Sequence, residues 1–253
     1  MNRVVSRPPR LRLLPVVEWF WRRRRSASAP RIRSREEQSP AARIDLHEFT
    51  PSPEEFLARA AYVQLTVFED LSHAVTVAPT TRAKAVLAAA TAASLARHSA
   101  MVEELTARGV DAGDAMERHR AVVDRFQRLT QGNDWIETTL TCHLAGGFLD
   151  DLFAALADGL PADLAERVRS AYRARPADSA FVALLSEAMG EDPRLPPRLA
   201  LWGRRILGDA LLVARDALNL GRGDDREEQR VEPAFSELIA QHTRRMDALG
   251  LSA

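Results

Sequence analysis

The sequence predicts an all-α protein, an antiparallel helical bundle preceded by a disordered basic arm. Three observations carry that expectation. Apolar residues from about Pro53 to Leu220 recur at helical spacing. Short stretches rich in Pro, Gly, Asn or Asp separate the periodic segments. No segment alternates apolar and polar residues as a half-buried strand would. The 253 residues are 46% hydrophobic, enough for one domain of roughly 170–200 residues with tails. Long helices joined by short loops favour up-and-down neighbours.

Each element has its own signals. Ser52-Pro53-Glu54-Glu55 reads as a helix start: a serine side chain accepts from a free amide, proline needs no donor there, and the acids complement the helix dipole. Phe56, Ala60, Val63, Val67, Leu71 and Val75 continue the helix to about Ala78, and Pro79 ends it. Thr80 or Thr81 caps a second helix that runs to Arg108, with Gly109 as the stop. A third covers about Ala112–Thr130. Asn133 or Asp134 caps a fourth that runs to Asp158. Helical pattern resumes at Pro161–Tyr172, breaks near Pro176 and resumes through Met189. The prolines at 193, 196 and 197 introduce a last long helix to about Leu220, and Val231–Leu249 reads as a separate amphipathic tail helix. The expected organisation is therefore an arm at 1–45, a bundle at 46–220, and a linker with a C-terminal helix at 221–253.

Charge is balanced, with 35 basic and 35 acidic residues, but not evenly spread. Residues 1–43 hold twelve Arg against Glu18, Glu36 and Glu37, a net of +9, so the rest of the chain carries −9. Lys84 is the only lysine. Arg- and Ala-rich, Lys-poor usage points to a high-GC genome, so the Arg excess is not by itself read as recognition. Cys142 is the only cysteine, which excludes an intramolecular disulfide and fits a reducing cytosol. No unbroken apolar run reaches the ~20 residues of a membrane span. Four arginines follow the apolar stretch Leu11–Trp21, where a secretion signal would have small residues. The expected location is cytoplasmic, or peripheral to the inner face of the membrane. The second alternative follows from Trp19, Phe20 and Trp21 beside Arg22, Arg23, Arg24 and Arg25, a composition suited to an anionic lipid surface or a nucleic acid. A solvated arm is the plain reading.

Di-iron bundles place a Glu on each of two helices and Glu-x-x-His on each of two others, because residues three apart share a helix face. None of the six histidines has a Glu three residues before it. Asp70-x-x-His73 is the only acidic match, and a solvated helix end explains it as well. Cys142 and His143 are adjacent and so point about 100° apart on a helix, which argues against a shared target. Gly146-Gly147 follows no strand and is not a phosphate loop; it reads as close helix packing or a local irregularity.

Four stretches carry a resemblance: Arg198-Leu-Ala-Leu-Trp-Gly-Arg-Arg-Ile-Leu-Gly-Asp-Ala210, Arg108-Gly-Val-Asp111, Trp135-Ile-Glu137 and Leu149-Asp-Asp-Leu-Phe153. Over roughly residues 53–220 the chain resembles a ferritin-like group of high-GC bacteria described as tRNA 2-methylthio-isopentenyladenosine hydroxylase-like. That resemblance implies a ferritin-like bundle. It also implies ligand positions at Gln64 for a Glu, at Ser94 and Arg97 for a Glu-x-x-His, at Asp151 for an acid near the glycine pair, and at Arg175 and Asp178 for the second Glu-x-x-His. The residues now there make poor iron ligands. Glutamine is a weak neutral donor, and arginine does not deprotonate and repels a dication. Asp151 and Asp178 read either as residual ligands or as partners of Arg97 and Arg175.

The leading expectation is thus a non-catalytic bundle, a binding or scaffold protein with no cofactor, retaining a ligand pocket or a homo-oligomer face. One alternative is an iron-dependent hydroxylase acting on tRNA, with Asp70, Asp151, Asp178 and histidines converging. A second alternative is a membrane- or nucleic-acid-associated protein acting through the arm.

Overall fold

The computed structural model describes residues 46–173, 178–218 and 225–252. The arm residues Trp19, Trp21 and Arg22 to Arg25, and Arg175, expected from the resemblance at a ligand position, lie outside the described residues.

The fold is all-α. Helix α1 spans Pro53–Val77, α2 Thr81–Ala107, α3 Ala112–Thr130 and α4 Trp135–Thr141. A π-helical turn at Cys142–Gly146 joins α4 to α5, Gly147–Leu156. Then come α6 (Ala162–Arg173), α7 (Asp178–Glu191), α8 (Leu195–Ala217) and α9 (Asp225–Ala248).

Side-chain caps set four of the starts. Ser52 accepts from Glu55 N at 3.3 Å, Thr80 from Ala83 N at 3.1 Å, Asp111 from Asp114 N and Asp134 from Glu137 N, both at 2.8 Å. Each cap satisfies an amide that has no partner within its helix. Glu137 also reaches back across the helix start, accepting from Asn133 N, the residue before the cap, at 2.9 Å. Gly109 closes α2 at φ 70°, where a β-carbon would be strained, and Val110 N reaches back to Leu105 O.

α1 and α2 form a hairpin and pair along their length. α3 packs on α1 and α8, and α4 on α1, α7 and α8. The segment from α4 to α5 is the central element. Leu140, Leu144, Phe148 and Leu152 on it have no exposure. Phe153 meets Phe56 edge-on at 5.6 Å and stacks on Tyr172 at 6.0 Å. Thr50 Oγ1 donates to Leu156 O at 2.6 Å, which pins the entry of the chain to the end of α5.

Three expectations change. The fourth helix is not continuous: the π turn interrupts it. The C-terminal helix begins earlier, at Asp225, and is not separate. Val231, Ala234, Leu238 and Met246 are buried in the same core as α5 and α8. The bundle therefore extends past residue 220, because α9 covers apolar surface that the other helices leave open. Finally, Thr81–Ala107 and Trp135–Gly159 are both long and apolar enough to cross a membrane by length and composition. Neither is an unbroken apolar run, because isolated polar residues punctuate each. The second is 89% buried over its apolar window and is bundle core; the first is 22% buried.

Candidate functional site

Gln64 of α1 and Arg97 of α2, two positions that the resemblance implies as ligand sites, converge on Asp150 of α5. Gln64 faces inward from the middle of α1 and is 1% exposed. Its Nε2 donates to Asp150 Oδ1 at 3.0 Å. Arg97 projects from α2 and its Nη1 donates to Asp150 Oδ2, also at 3.0 Å. Arg97 Nε donates to Ala171 O near the end of α6 at 3.3 Å, and its guanidinium lies 5.7 Å from the centre of the Tyr172 ring. Ser94, one turn before Arg97 on the same face, is buried.

Both oxygens of the one central carboxylate are thus taken by protein donors. Side-chain exposure is 12% for Arg97 and 8% for Asp150, so the pair is buried. A buried guanidinium is tolerated when it is paired and hydrogen-bonded, as here. Tyr172 is also buried, and its hydroxyl is held firmly neutral, by burial first and by the charge of Asp150 second. Tyr172 Oη and Gln64 Oε1 are both buried, and among the described residues neither has a hydrogen-bond partner.

The acid expected at this place was Asp151, and the structure uses Asp150 instead. Asp151 turns the other way and accepts from Arg245 Nη2 of α9 at 2.6 Å. Gly147 makes that contact possible, since a β-carbon there would sit 2.5 Å from Arg245 Nε. The glycine pair therefore marks both a local irregularity and a close approach. Asp178 opens α7 and lies 3.8 Å from Nδ1 of the buried His143, whose ring meets Phe181 edge-on at 6.1 Å. Cys142, next to His143, is buried with Phe181 and Leu184 of α7 and also feels the charge of Asp70. Burial pushes the Cys142 thiol well above its usual range, and the charge of Asp70 adds to this.

Asp70 and His73 do not form a pair around a metal. Asp70 accepts from Gln127 Nε2 of α3 at 2.9 Å, and His73 is exposed. Burial raises the Asp70 carboxyl to about 6, against the hydrogen bond from Gln127. Among the described residues, no three of His, Cys, Asp or Glu gather as a metal-binding group. The residues at the inferred site do not fit a di-iron centre. It would need several free carboxylates and imidazoles, and the central carboxylate, Asp150, is instead held by an arginine and an amide.

A cavity of about 40 Å³ borders the network, lined in part by Gln64, Ser94, Arg97, Cys142, Asp150 and Asp178. A second, of about 30 Å³, lies on the Asp70 side and shares Cys142 and Gly146 with the first. Sequence reasoning missed Asp150 and Tyr172. Asp150 was visible in the Leu149–Phe153 motif as one of two adjacent aspartates. Tyr172 left no signal, since an aromatic near a helix end is ordinary core material.

A comparison with curated proteins finds no match. A family model described as a ferritin-like domain of actinomycetes matches residues 49–219, which include α1 to α8 and every member of the network. The chain belongs to this ferritin-like family.

Proposed function

We propose that this protein is a non-catalytic ferritin-like bundle, a binding or scaffold protein in which an internal ion pair stands where related bundles hold a metal centre. The observation that carries this reading is the Arg97–Asp150–Gln64 network. A guanidinium at the centre of the bundle repels cations and occupies the Asp150 carboxylate. Cavity size supports the same reading. The larger cavity, about 40 Å³, holds a few water molecules, whereas pockets for drug-sized ligands run to roughly 300–1,000 Å³. A modified nucleoside needs the latter.

Iron analysis tests the proposal. After anaerobic reconstitution with ferrous iron, the full chain is expected to retain well under one iron per chain. Gln64→Glu/Ser94→Glu/Arg97→His, which recreates a Glu and a Glu-x-x-His, is expected to retain more. Two tightly held irons in the unaltered chain would overturn the reading and favour a tRNA hydroxylase with an atypical ligand set. On the sequence grounds given above, we further propose a cytoplasmic location, with residues 1–43 as the segment that reaches an anionic surface. Salt-sensitive vesicle or nucleic-acid binding, lost in residues 44–253, checks that part.

A further inference from the structure

Most of the exposed large apolar side chains gather on one face of the bundle. Among the described residues six such side chains are exposed, and four of them lie on two adjacent helices: Val122 and Leu129 on α3, Leu201 and Leu212 on α8. Singly exposed leucines are ordinary, but a gathered set marks a contact surface. On α3 the exposed residues Arg118, Val122, Arg125 and Leu129 follow at steps of four, three and four, so they form one stripe. On α8 the exposed residues Leu201, Arg205, Gly208 and Leu212 do the same. The two helices run antiparallel. Arg205 Nη2 donates to Leu129 O at 2.9 Å, and Val213, further along α8, lines a cavity with Val123 and Phe126, earlier on α3. Val122 and Leu212 thus come to about the same level. The opposite flank of α3 belongs to α1, where Asp124 accepts from Tyr62 and Gln127 donates to Asp70. The two stripes therefore lie side by side.

Charge follows the same division. Neither stripe holds an acid. Among the described residues, no ion pair holds Arg118 or Arg125, nor Arg128 on the outer side of α3. Glu117 and Asp124 of α3 pair instead with Arg120, away from α8. Asp209 of α8 is mostly buried and lies 3.8 Å from Arg205, whose guanidinium rests over the Trp202 ring. The face is aliphatic and cationic, and the whole chain has no net charge to oppose an anionic partner.

We infer that the α3–α8 face docks on the surface of an anionic lipid bilayer, with Val122, Leu129, Leu201 and Leu212 entering the acyl boundary and Arg118, Arg125 and Arg128 at the headgroups. Aliphatic side chains flanked by arginines are the composition of an interfacial surface. Leu201 and Leu212 stand on the ridge of α8, roughly opposite its buried Leu199, Ile206 and Ala210, and Leu201 is 66% exposed. A ridge suits a flat layer, whereas a partner helix needs a groove. A nucleic acid would reward the arginines but not the leucines, since bases stack on aromatic rings. A second copy would set arginines against arginines.

Full-length protein carrying a polarity-sensitive fluorophore tests this. Cys142 is the only native cysteine and is buried, so an introduced cysteine takes the label. A label on Leu201→Cys is expected to shift to the blue on vesicles of mixed phosphatidylglycerol and phosphatidylcholine, and not on phosphatidylcholine alone. A label on Ser99→Cys, exposed on α2, is expected not to shift. Leu212→Ser and Arg125→Glu, both at exposed positions, should each weaken vesicle binding of the Leu201-labelled protein about five- to tenfold, with the helical circular dichroism unchanged. Anchoring by residues 1–43 alone would move both labels alike or neither, and either result would overturn the inference. Binding indifferent to Leu212→Ser and Arg125→Glu combined would also overturn it. A Leu201 label silent on vesicles but responsive to polyuridylate would assign the face to a nucleic acid and overturn it as well.

Discussion

Helix α2 and the α4–π–α5 segment are alike in length and average apolar character, yet one is 22% buried over its apolar window and the other 89%. The difference lies in side-chain size. The central segment carries Leu140, Leu144, Phe148, Leu149, Leu152 and Phe153, which release much apolar area when surrounded. α2 is built largely of alanine, whose burial contributes little, so it lies at the edge with one face on α1. Apolar composition alone therefore does not rank helices by burial; apolar area per residue does.

Replacing a large side chain of the central segment should have the largest effect. Phe148→Ala removes a fully buried ring and is expected to cost about 3–5 kcal/mol in denaturant unfolding. Ala92→Ser on the exposed face of α2 should change stability by less than about 0.5 kcal/mol. Comparable costs at the two sites would break the comparison.

The two elements meet at the ion pair, where α2 contributes Arg97 and α5 contributes Asp150. Arg97→Leu removes the charged partner of a buried carboxylate, at an expected cost of about 3 kcal/mol. Arg97→Leu/Asp150→Leu removes both charges and should cost less than Arg97→Leu alone. Urea unfolding of the three proteins measures this; additive losses would mean that the pair is not coupled.

The smallest effect expected is a pH dependence set by two buried groups that pull in opposite senses. His242 on α9 is held neutral: burial lowers it from 6.5 to about 4, the charge of Arg245 adds, and the Gly203 backbone opposes. Its contribution is present above about pH 6.5 and is lost as pH falls through about 4. Asp70 is raised from 3.8 to about 6, so its contribution is present below about pH 3.8 and is lost as pH rises through about 6. The two slopes oppose each other between about pH 4 and 6. Asp70→Asn should make stability rise more steeply with pH in that window, and His242→Leu should make it rise less or fall. Unfolding free energies at half-unit pH steps would sink the assignment if neither variant altered the slope.

Helix limits were legible wherever a local signal sufficed. Ser52 was readable as a cap, and Thr80 and Asp134 each as one of two adjacent candidates, because each bond reaches a backbone amide three residues on. Gly109 was readable as a stop because only its own φ is at issue. That no histidine follows a Glu by three residues was equally legible, since that motif acts within one turn. The inward position of Arg97 followed from the resemblance, and its partner did not.

What the sequence alone determined, then, is the helical class, most helix boundaries and the poverty of the metal-ligand set, all matters of spacing within a few residues. Only the tertiary structure decided which aspartate meets Gln64 and Arg97. A π turn inserts one extra residue, and that rotates everything after it by about 100°. Asp150 then faces the interior, and Asp151 faces Arg245. The tertiary structure likewise brought α9 into the core and left the second face of α2 open, because burial depends on which neighbours arrive, and they come from distant parts of the chain.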